Sequence, residues 1–272
     1  MPALDVRGLA CAFAAFAAVV LLAAASGGYD PQSWGWAGLA TASVALLAIA
    51  VRVTGPRGRR ERLYVGLLVL AGLWALASGA WSLSAPSSIL DAQRHLVSAG
   101  GALAAVAIAR RRDGPALRLG VLAAISIVCV ANLVHRAHGY DGTTGAEAAP
   151  IGYANGLGIL AAIGCLLALE AGRTWRPAWL MLPLPAAVLI LSESTGAQLA
   201  LVVGLAVAAI GRGGRVRVLG TALLVAGLAL GVVSFSGHQR EQYWGVAWEG
   251  VRDHPLGGSG AGTFAQLWVL DR

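Results

Sequence analysis

Arginine, tryptophan and glycine are concentrated in residues 240–264, which read R-E-Q-Y-W-G-V-A-W-E-G-V-R-D-H-P-L-G-G-S-G-A-G-T-F. Four glycines in residues 257–262 allow unusual backbone conformations and close approach to a neighbouring group. Successive free N–H groups in such a segment can cradle an anion, so Gly257 and Gly260 are candidate substrate-binding positions. A flexible turn is the commoner explanation, and the chain has no G-x-x-x-x-G-K-S/T sequence typical of a nucleotide-phosphate loop.

A helix along the membrane surface is predicted immediately before these glycines. Apolar residues at i, i+1, i+4, i+5 and i+8 give such a helix one apolar face, formed by Tyr243, Trp244, Ala247, Trp248 and Val251. Aromatic side chains favour the boundary between lipid and water, so interface anchoring is the commoner explanation of Trp244 and Trp248. Trp244 is also a candidate substrate-binding residue. The helix is expected to end before Pro255.

Composition indicates that lipid, rather than water, surrounds most of the chain. Of its 272 residues, 57% are apolar and 12% are charged, whereas a soluble domain carries about 25% charged residues. A spanning helix needs about 20 apolar residues, so the chain has room for many spans and little room for a soluble domain. Cys11, Cys129 and Cys165 lie inside apolar runs, which predicts neither a disulfide framework nor a metal site.

Nine apolar runs are separated by short polar segments, at roughly residues 8–26, 33–53, 63–83, 92–109, 117–135, 152–170, 178–192, 196–211 and 218–236. Backbone groups in lipid must be hydrogen-bonded within their own segment, and these long runs lack the alternation of a barrel strand. The predicted fold is therefore all-α: a polytopic transmembrane helix bundle of about nine spans in residues 1–236. Residues 237–272 are predicted to begin an extracytoplasmic loop. The first run resembles a signal peptide, but its length and the runs after it favour an uncleaved span.

The distribution of arginine predicts the orientation of these spans. All 20 basic residues are arginines, and most lie in short clusters between apolar runs. With a cytoplasmic N-terminus, fifteen of them face the cytoplasm and five face outside, in agreement with the positive-inside rule. We therefore expect a plasma-membrane protein whose C-terminal segment is extracytoplasmic. Clusters between spans do not form a stripe for phosphate backbones, so nucleic acid is not an expected partner.

Polar residues at the predicted outer face are the remaining site candidates. The positive-inside rule explains arginines on the cytoplasmic side but not those on the outer side. Three outer arginines, Arg94, Arg136 and Arg240, are each expected close to a helix end. Asn155 lies just inside the sixth run, where it either bonds a neighbouring helix or contacts a substrate. Glu193 lies between two short runs and is either a carboxylate that reaches water or a functional residue.

Three stretches resemble the O-antigen ligase and polymerase family of polytopic membrane proteins. R-x-x-x-W at residues 240–244, followed by R-D-H-P-L-G-G-S-G-A-G-T-F at residues 252–264, resembles the family pattern R-x-x-x-W, a spacer, and D-H-P-L-x-G-x-G-x-x-x-F. G-Y-A-N-G-L at residues 152–157 is similar to the family's Asn-containing helix start. L-S-E-S-T-G-A-Q-L-A at residues 191–200 is similar to its S-R-G-A segment. The resemblance extends over roughly residues 60–272.

The resemblance implies glycosyl transfer at the outer face of the membrane. Family members move a glycan from a polyprenyl-diphosphate carrier to a lipid or glycan acceptor, without a nucleotide sugar, an essential metal or another cofactor. The implied partners are therefore the lipid-linked glycan donor, the acceptor and membrane lipids. Arg240 matches the family's diphosphate-binding arginine and is the candidate catalytic residue, because a guanidinium can stabilise the charge that develops on a departing phosphate.

Two departures from the family pattern bear on activity. The family's S-R-G-A segment carries a second functional arginine where this chain has Thr195. Either Arg94 or Arg136 supplies that charge, or activity is altered or absent. The family's proposed catalytic histidine lies beyond the position of Phe264, and no residue of this chain matches it. The resemblance therefore implies a truncated or fragmentary member of the family.

Two other function classes remain open. A transporter or channel is also a polytopic bundle, but transporters usually hold charged groups near the middle of the membrane. In this chain each charge is expected at the end of an apolar run, which favours the enzyme over transport. A non-catalytic membrane partner in polysaccharide assembly is favoured by Thr195 and by the missing remainder of the family's large outer loop.

Overall fold

The computed structural model consists of helices and the turns between them. It describes residues 5–28, 30–50, 58–108, 113–138, 148–211, 214–235 and 238–270. No residue in these ranges belongs to a β-strand. The predicted all-α fold is therefore confirmed for the described part of the chain.

Eleven α-helices are present in the described residues. They are α1 Val6–Ala24, α2 Pro31–Ala50, α3 Arg59–Ser78, α4 Ala85–Ile108, α5 Gly114–Ala137, α6 Ala154–Thr174, α7 Pro183–Leu191, α8 Thr195–Ile210, α9 Gly214–Phe235, α10 His238–Asp253 and α11 Phe264–Leu270. Two short 3-10 helices cover Ser26–Gly28 and Arg176–Met181.

Each of the nine apolar runs falls on α1 to α9, with one interruption. The seventh run is divided into a 3-10 helix, Arg176–Met181, and the nine-residue α7, because prolines at the start of each piece limit helix continuation. By length and composition, four helices among the described residues can cross a membrane: α1, α3, α5 and α6. The apolar helices support a membrane protein, and the count of nine spans stays a prediction.

The start of α4 differs from the sequence expectation. The fourth run is predicted to start at residue 92, but α4 begins at Ala85, with Ser84 accepting a hydrogen bond from the backbone N–H of Ser87 at 3.4 Å. A serine before the first turn and a proline within it are both typical of a helix start. Arg94 consequently lies nine residues inside α4. The expectation that Arg94 is close to a helix end is therefore wrong.

The chain divides into two compact units. Unit 1 contains residues 1–33 and 110–235, and unit 2 contains residues 34–109 and 236–272. Residues 236–272 group by contacts with α3 and α4. The predicted division at residue 236 rests on membrane topology and stays a prediction.

Small residues let the helices of unit 1 approach closely. The helices α1 and α5 pack together, and a Cβ atom at Gly120 would overlap the backbone of Ala12. A Cβ atom at Gly164 would lie 2.7 Å from Ile125 Cγ2 and 3.0 Å from Pro185 Cβ. The fully buried side chains of Ile125, Leu157 and Val188 fill the core between α5, α6 and α7. Small residues at helix contacts are typical of closely packed membrane helices.

In unit 2, α3 and α4 pack along each other. A Cβ atom at Gly72 of α3 would lie 2.9 Å from Leu96 Cδ2 of α4. A Cβ atom at Gly38 of α2 would lie 2.5 Å from Val97 Cγ2 on α4. Glycine therefore sets the spacing of α4 from both neighbouring helices. The short connection between α3 and α4 is the part of this unit that meets residues 257–263.

Candidate functional site

Three predicted site residues lie on neighbouring elements at one end of unit 1. Arg136 is in the last turn of α5, Asn155 is in the first turn of α6, and Glu193 lies between α7 and α8. We call residues 132–138, 153–155 and 191–195 the polar end of unit 1. The α5–α6 and α7–α8 connections therefore meet at the same end of their helices.

Arg136 is fixed by two hydrogen bonds. Its Nε donates to Oδ1 of Asn132 at 3.2 Å, and its Nη2 donates to the carbonyl oxygen of Leu191 at 3.0 Å. Asn132 is fully buried, and its Nδ2 donates to the carbonyl oxygen of Ala149 at 2.7 Å. No carboxylate of the described chain lies within ion-pair distance of Arg136. A half-buried guanidinium is thus held in place with its charge unneutralised by the described residues.

Asn155 joins the start of α6 to the start of α8. Ser194 Oγ donates to Asn155 Oδ1 at 2.8 Å, and Asn155 Nδ2 donates to Tyr153 Oη at 2.9 Å. Ser194 is buried and also caps α8 by accepting from the backbone N–H of Ala197 at 3.3 Å. Asn155 itself is exposed, so it bonds a neighbouring element and still faces the surroundings.

The turn between α7 and α8 has an unusual backbone at Glu193. Its φ of 52° is in the left-handed region, which is uncommon for a residue other than glycine. Ser192 and Ser194 on either side are buried, while Glu193 and Thr195 are exposed. A Cβ atom at Gly158 of α6 would lie 2.8 Å from Ser192 Oγ, so α6 packs closely against the turn. The turn is therefore anchored by two buried serines, and it exposes the carboxylate of Glu193 and the hydroxyl of Thr195.

In unit 2, the Gly-rich segment (residues 257–263) is bound to the α3–α4 connection. We call residues 78–88, which contain five serines, the serine-rich turn. Trp81 Nε1 donates to the carbonyl oxygen of Gly257 at 3.0 Å, and the N–H of Leu83 donates to the carbonyl oxygen of Ser259 at 3.0 Å. The N–H of Ala261 donates to Ser78 Oγ at 2.9 Å.

These contacts favour docking over anion binding by the Gly-rich segment. The N–H of Ala261 is bonded to Ser78, and the N–H of Gly258 donates to the carbonyl oxygen of His254 at 2.8 Å. An anion cradle needs such groups to be free. Gly257 lies against the Trp81 ring, where a Cβ atom would be 2.8 Å from Nε1. The two glycines predicted to bind substrate are therefore placed where they allow backbone packing.

The predicted apolar face of α10 is divided in the structure. Tyr243 packs against Phe264 and Trp268 of α11, with ring centroids 6.0 and 4.5 Å apart. Trp244 and Trp248 are 71% and 65% exposed. Interface anchoring of both tryptophans therefore fits the structure better than a role inside a site.

The remaining predicted cations lie in unit 2. Arg240 belongs to the first turn of α10, and its side chain lies outside the described part of the structure. Arg94 is exposed on α4. Of the two arginines that could supply the missing family charge, Arg136 belongs to unit 1 and Arg94 to unit 2. The sequence did not single out Asn132, Tyr153 or Ser194, although a polar residue within an apolar run is a signal that would have found Asn132.

Cysteine and acidic residues do not assemble into a metal site in the described ranges. Cys11, Cys129 and Cys165 are buried in α1, α5 and α6. No group of three or more His, Cys, Asp or Glu side chains there is arranged to hold a metal ion.

Comparison with known proteins identifies no relative. No protein-family model, no curated protein and no solved structure matches the chain. The resemblance to the O-antigen ligase and polymerase family therefore rests on the quoted motifs.

Proposed function

We propose that the chain is a membrane glycosyltransferase of the O-antigen ligase and polymerase type. It transfers a glycan from a polyprenyl-diphosphate carrier to a lipid or glycan acceptor at the outer face of the plasma membrane. The observation that carries this proposal is the polar end of unit 1. There Arg136 contacts Leu191 and Asn155 contacts Ser194, so two of the three motif-bearing stretches meet beside a cation that no carboxylate in the described part of the chain neutralises.

The chemistry of transfer suits these residues. An acceptor hydroxyl attacks the anomeric carbon of the donor sugar, a new C–O bond forms, the hydroxyl proton passes to water, and the bond to the lipid diphosphate breaks. The departing diphosphate takes the bonding electron pair, so a fixed cation lowers the energy of the transition state. In the proposal Arg240 binds this diphosphate, as the motif match implies, and Arg136 supplies the positive charge at the polar end of unit 1. Asn155 and the exposed Glu193 hydrogen-bond sugar hydroxyls.

The contacts within each unit support the proposed alternation of nine spans. In that arrangement the α5–α6 and α7–α8 connections are both outside, and the bond from Arg136 to Leu191 requires them to share one side. The serine-rich turn and residues 237–272 are also both outside, and the bond from Ala261 to Ser78 requires the same. Both contacts are thus consistent with nine spans that cross the membrane in alternating directions.

A non-catalytic partner in polysaccharide assembly is the second candidate. Thr195 is the specific observation in its favour, because it replaces the arginine that the resemblance implies. Such a partner would retain the fold and the contact with lipid-linked glycan but would not transfer the sugar.

Transfer by the purified protein in liposomes tests the proposal. The donor is the lipid-linked glycan extracted from the source cells' own membranes, and the product is a glycan joined to a lipid or glycan acceptor. We expect transfer by the wild-type chain and its loss in Arg240→Ala. Binding of the donor without transfer would favour the non-catalytic partner, and full activity in Arg240→Ala would remove the main site assignment.

A further inference from the structure

We propose that the serine-rich turn positions α10, and that Ser78 and Ser88 are positioning residues for Arg240. The proposal rests on the proposed function, because it assigns Arg240 to the donor diphosphate. It adds a role for the α3–α4 connection, to which neither the sequence motifs nor the polar end of unit 1 gives any part in transfer.

Ala261 is bonded to the serine-rich turn through both of its peptide groups. Its N–H donates to Ser78 Oγ at 2.9 Å, and its carbonyl oxygen accepts from Ser88 Oγ at 2.8 Å. Ser78 and Ser88 are 2% and 0% exposed. The Ser78 hydroxyl donates to the carbonyl oxygen of Ala75 at 2.7 Å, which turns its lone pairs toward Ala261. Losing either hydroxyl would remove the partner of one peptide group of the half-buried Ala261, which would weaken the docking.

Shape reinforces these bonds and makes the docking specific. Gly260 and Gly262 have φ values of 98° and 70°, which side chains other than glycine's rarely adopt. A Cβ atom at Gly260 would overlap Ser82, and one at Gly262 would lie 3.0 Å from the carbonyl oxygen of Ser87. The segment therefore fits the turn only because these positions are glycine.

The docked segment is continuous with α10 and α11. The N–H of Gly258 donates to the carbonyl oxygen of His254, the residue after α10, at 2.8 Å, and the N–H of His254 donates to the carbonyl oxygen of Gly250 in α10 at 3.2 Å. The end of α10 is therefore linked to the segment by hydrogen bonds. The first residue of α11, Phe264, directly follows the segment. Tyr243, three residues after Arg240, packs on Phe264 and Trp268. The end of α10 and its Tyr243 turn are thus both held relative to the serine-rich turn, and the backbone at Arg240 is held with them.

Hydrogen exchange and donor kinetics test the two parts of the proposal together. Ser78→Ala and Ser88→Ala are compared with Ser98→Ala, which removes an exposed hydroxyl bonded only to the Arg94 carbonyl within α4. We expect exchange at the Ala261 N–H to become about tenfold faster in both test variants, as loss of one buried hydrogen bond implies. The donor KM should rise about tenfold and the acceptor KM should stay constant, because only the diphosphate contact is displaced. Ser98→Ala should stay within about twofold of wild type.

Loss of folded protein alone would lower the maximal rate and leave both KM values unchanged, so the donor KM separates positioning from stability. Gly260→Ala tests the contact from the other side and should give the same exchange and KM changes. Its control is Gly245→Ala in α10, where an added Cβ atom meets open space.

Three results would count against the proposal in different ways. Unchanged exchange in Ser78→Ala, Ser88→Ala and Gly260→Ala would overturn the docking. Faster exchange with an unchanged donor KM would overturn the positioning of Arg240. No transfer by the wild-type chain would overturn the proposed function and the assignment of Arg240 with it, while exchange at Ala261 would still decide the docking.

Discussion

Arg136 Nη2 donates a hydrogen bond to the carbonyl oxygen of Leu191 at 3.0 Å, which ties the end of α5 to the turn between α7 and α8. This carbonyl is at the C-terminal end of α7, where it has no partner within its own helix. The guanidinium satisfies it and is in turn oriented by the buried Asn132. The arginine is therefore a rigid part of the polar end of unit 1 rather than a mobile surface cation.

The first prediction concerns this cation. Arg136→Ala should lower kcat/KM for the donor about 100-fold, because removing one fixed donor to a developing anion typically costs that much. Arg136→Lys should recover only part of the rate, since an ammonium group lacks the planar fork that bonds Asn132 and Leu191 together. Transfer assays with the extracted lipid-linked donor measure both effects.

The matched control for this prediction is Arg118→Ala. Arg118 is on the same helix, near its other end, and pairs with Glu170 at an exposed position. An exposed ion pair contributes little, so activity should stay close to wild type. Equal losses in Arg118→Ala and Arg136→Ala would contradict a specific role for Arg136.

The second prediction concerns the threonine at the start of α8. Thr195 lies four residues after Leu191 in the same turn that Arg136 contacts. An arginine introduced there should place a positive charge near the position that the Arg136 guanidinium occupies in the wild-type chain. The double variant Arg136→Ala with Thr195→Arg should therefore be about tenfold more active than Arg136→Ala alone, recovering roughly half of the lost transition-state energy.

An arginine at a second position of α8 shows whether recovery depends on the place of the new charge or only on the added positive charge. Gln198→Arg adds the same residue to an exposed position one turn further along α8. Recovery by Thr195→Arg but not by Gln198→Arg supports the idea that Arg136 substitutes for the family arginine. Equal recovery in both, or none in either, contradicts it.

The third prediction concerns stability. Asn132 is fully buried and bonds both Ala149 and Arg136, so Asn132→Ala should lower the free energy of unfolding by about 1–3 kcal/mol. Thermal unfolding in detergent measures this change. Ser194→Ala, which loses a helix cap and the bond to Asn155, should cost about 1 kcal/mol. An unchanged midpoint in Asn132→Ala would mean that its bonds do not hold the polar end together.

The sequence predicts the helices well because apolar length alone decides them in lipid. It fails at α4, where residues 85–91 are polar enough to resemble a loop. Their helical start comes from the Ser84 cap and the early proline rather than from an apolar pattern. The same failure misplaces Arg94, since its distance from a helix end depends on where α4 begins.

The candidate site was predictable only in part. Arg136, Asn155 and Glu193 were identified from residue type and position, but their grouping depends on long-range bonds that no local pattern encodes. The glycines of residues 257–263 had two explanations from sequence, an anion cradle and a turn. The deciding fact is the bond between Ala261 and Ser78, residues 183 positions apart.

The last prediction tests the membrane side on which the Gly-rich segment lies. Leu256→Cys places a thiol at a position 93% exposed, directly before the segment. A membrane-impermeant maleimide should label it in intact cells, because the proposed topology puts residues 237–272 outside. Arg173→Cys, exposed at the end of α6 on the proposed cytoplasmic side, should be labelled only after the membrane is opened. The unaltered chain is the background control, since its three cysteines are buried within helices. Labelling of Arg173→Cys but not of Leu256→Cys in intact cells would reverse the orientation and remove the lipid-linked donor from reach of Arg240.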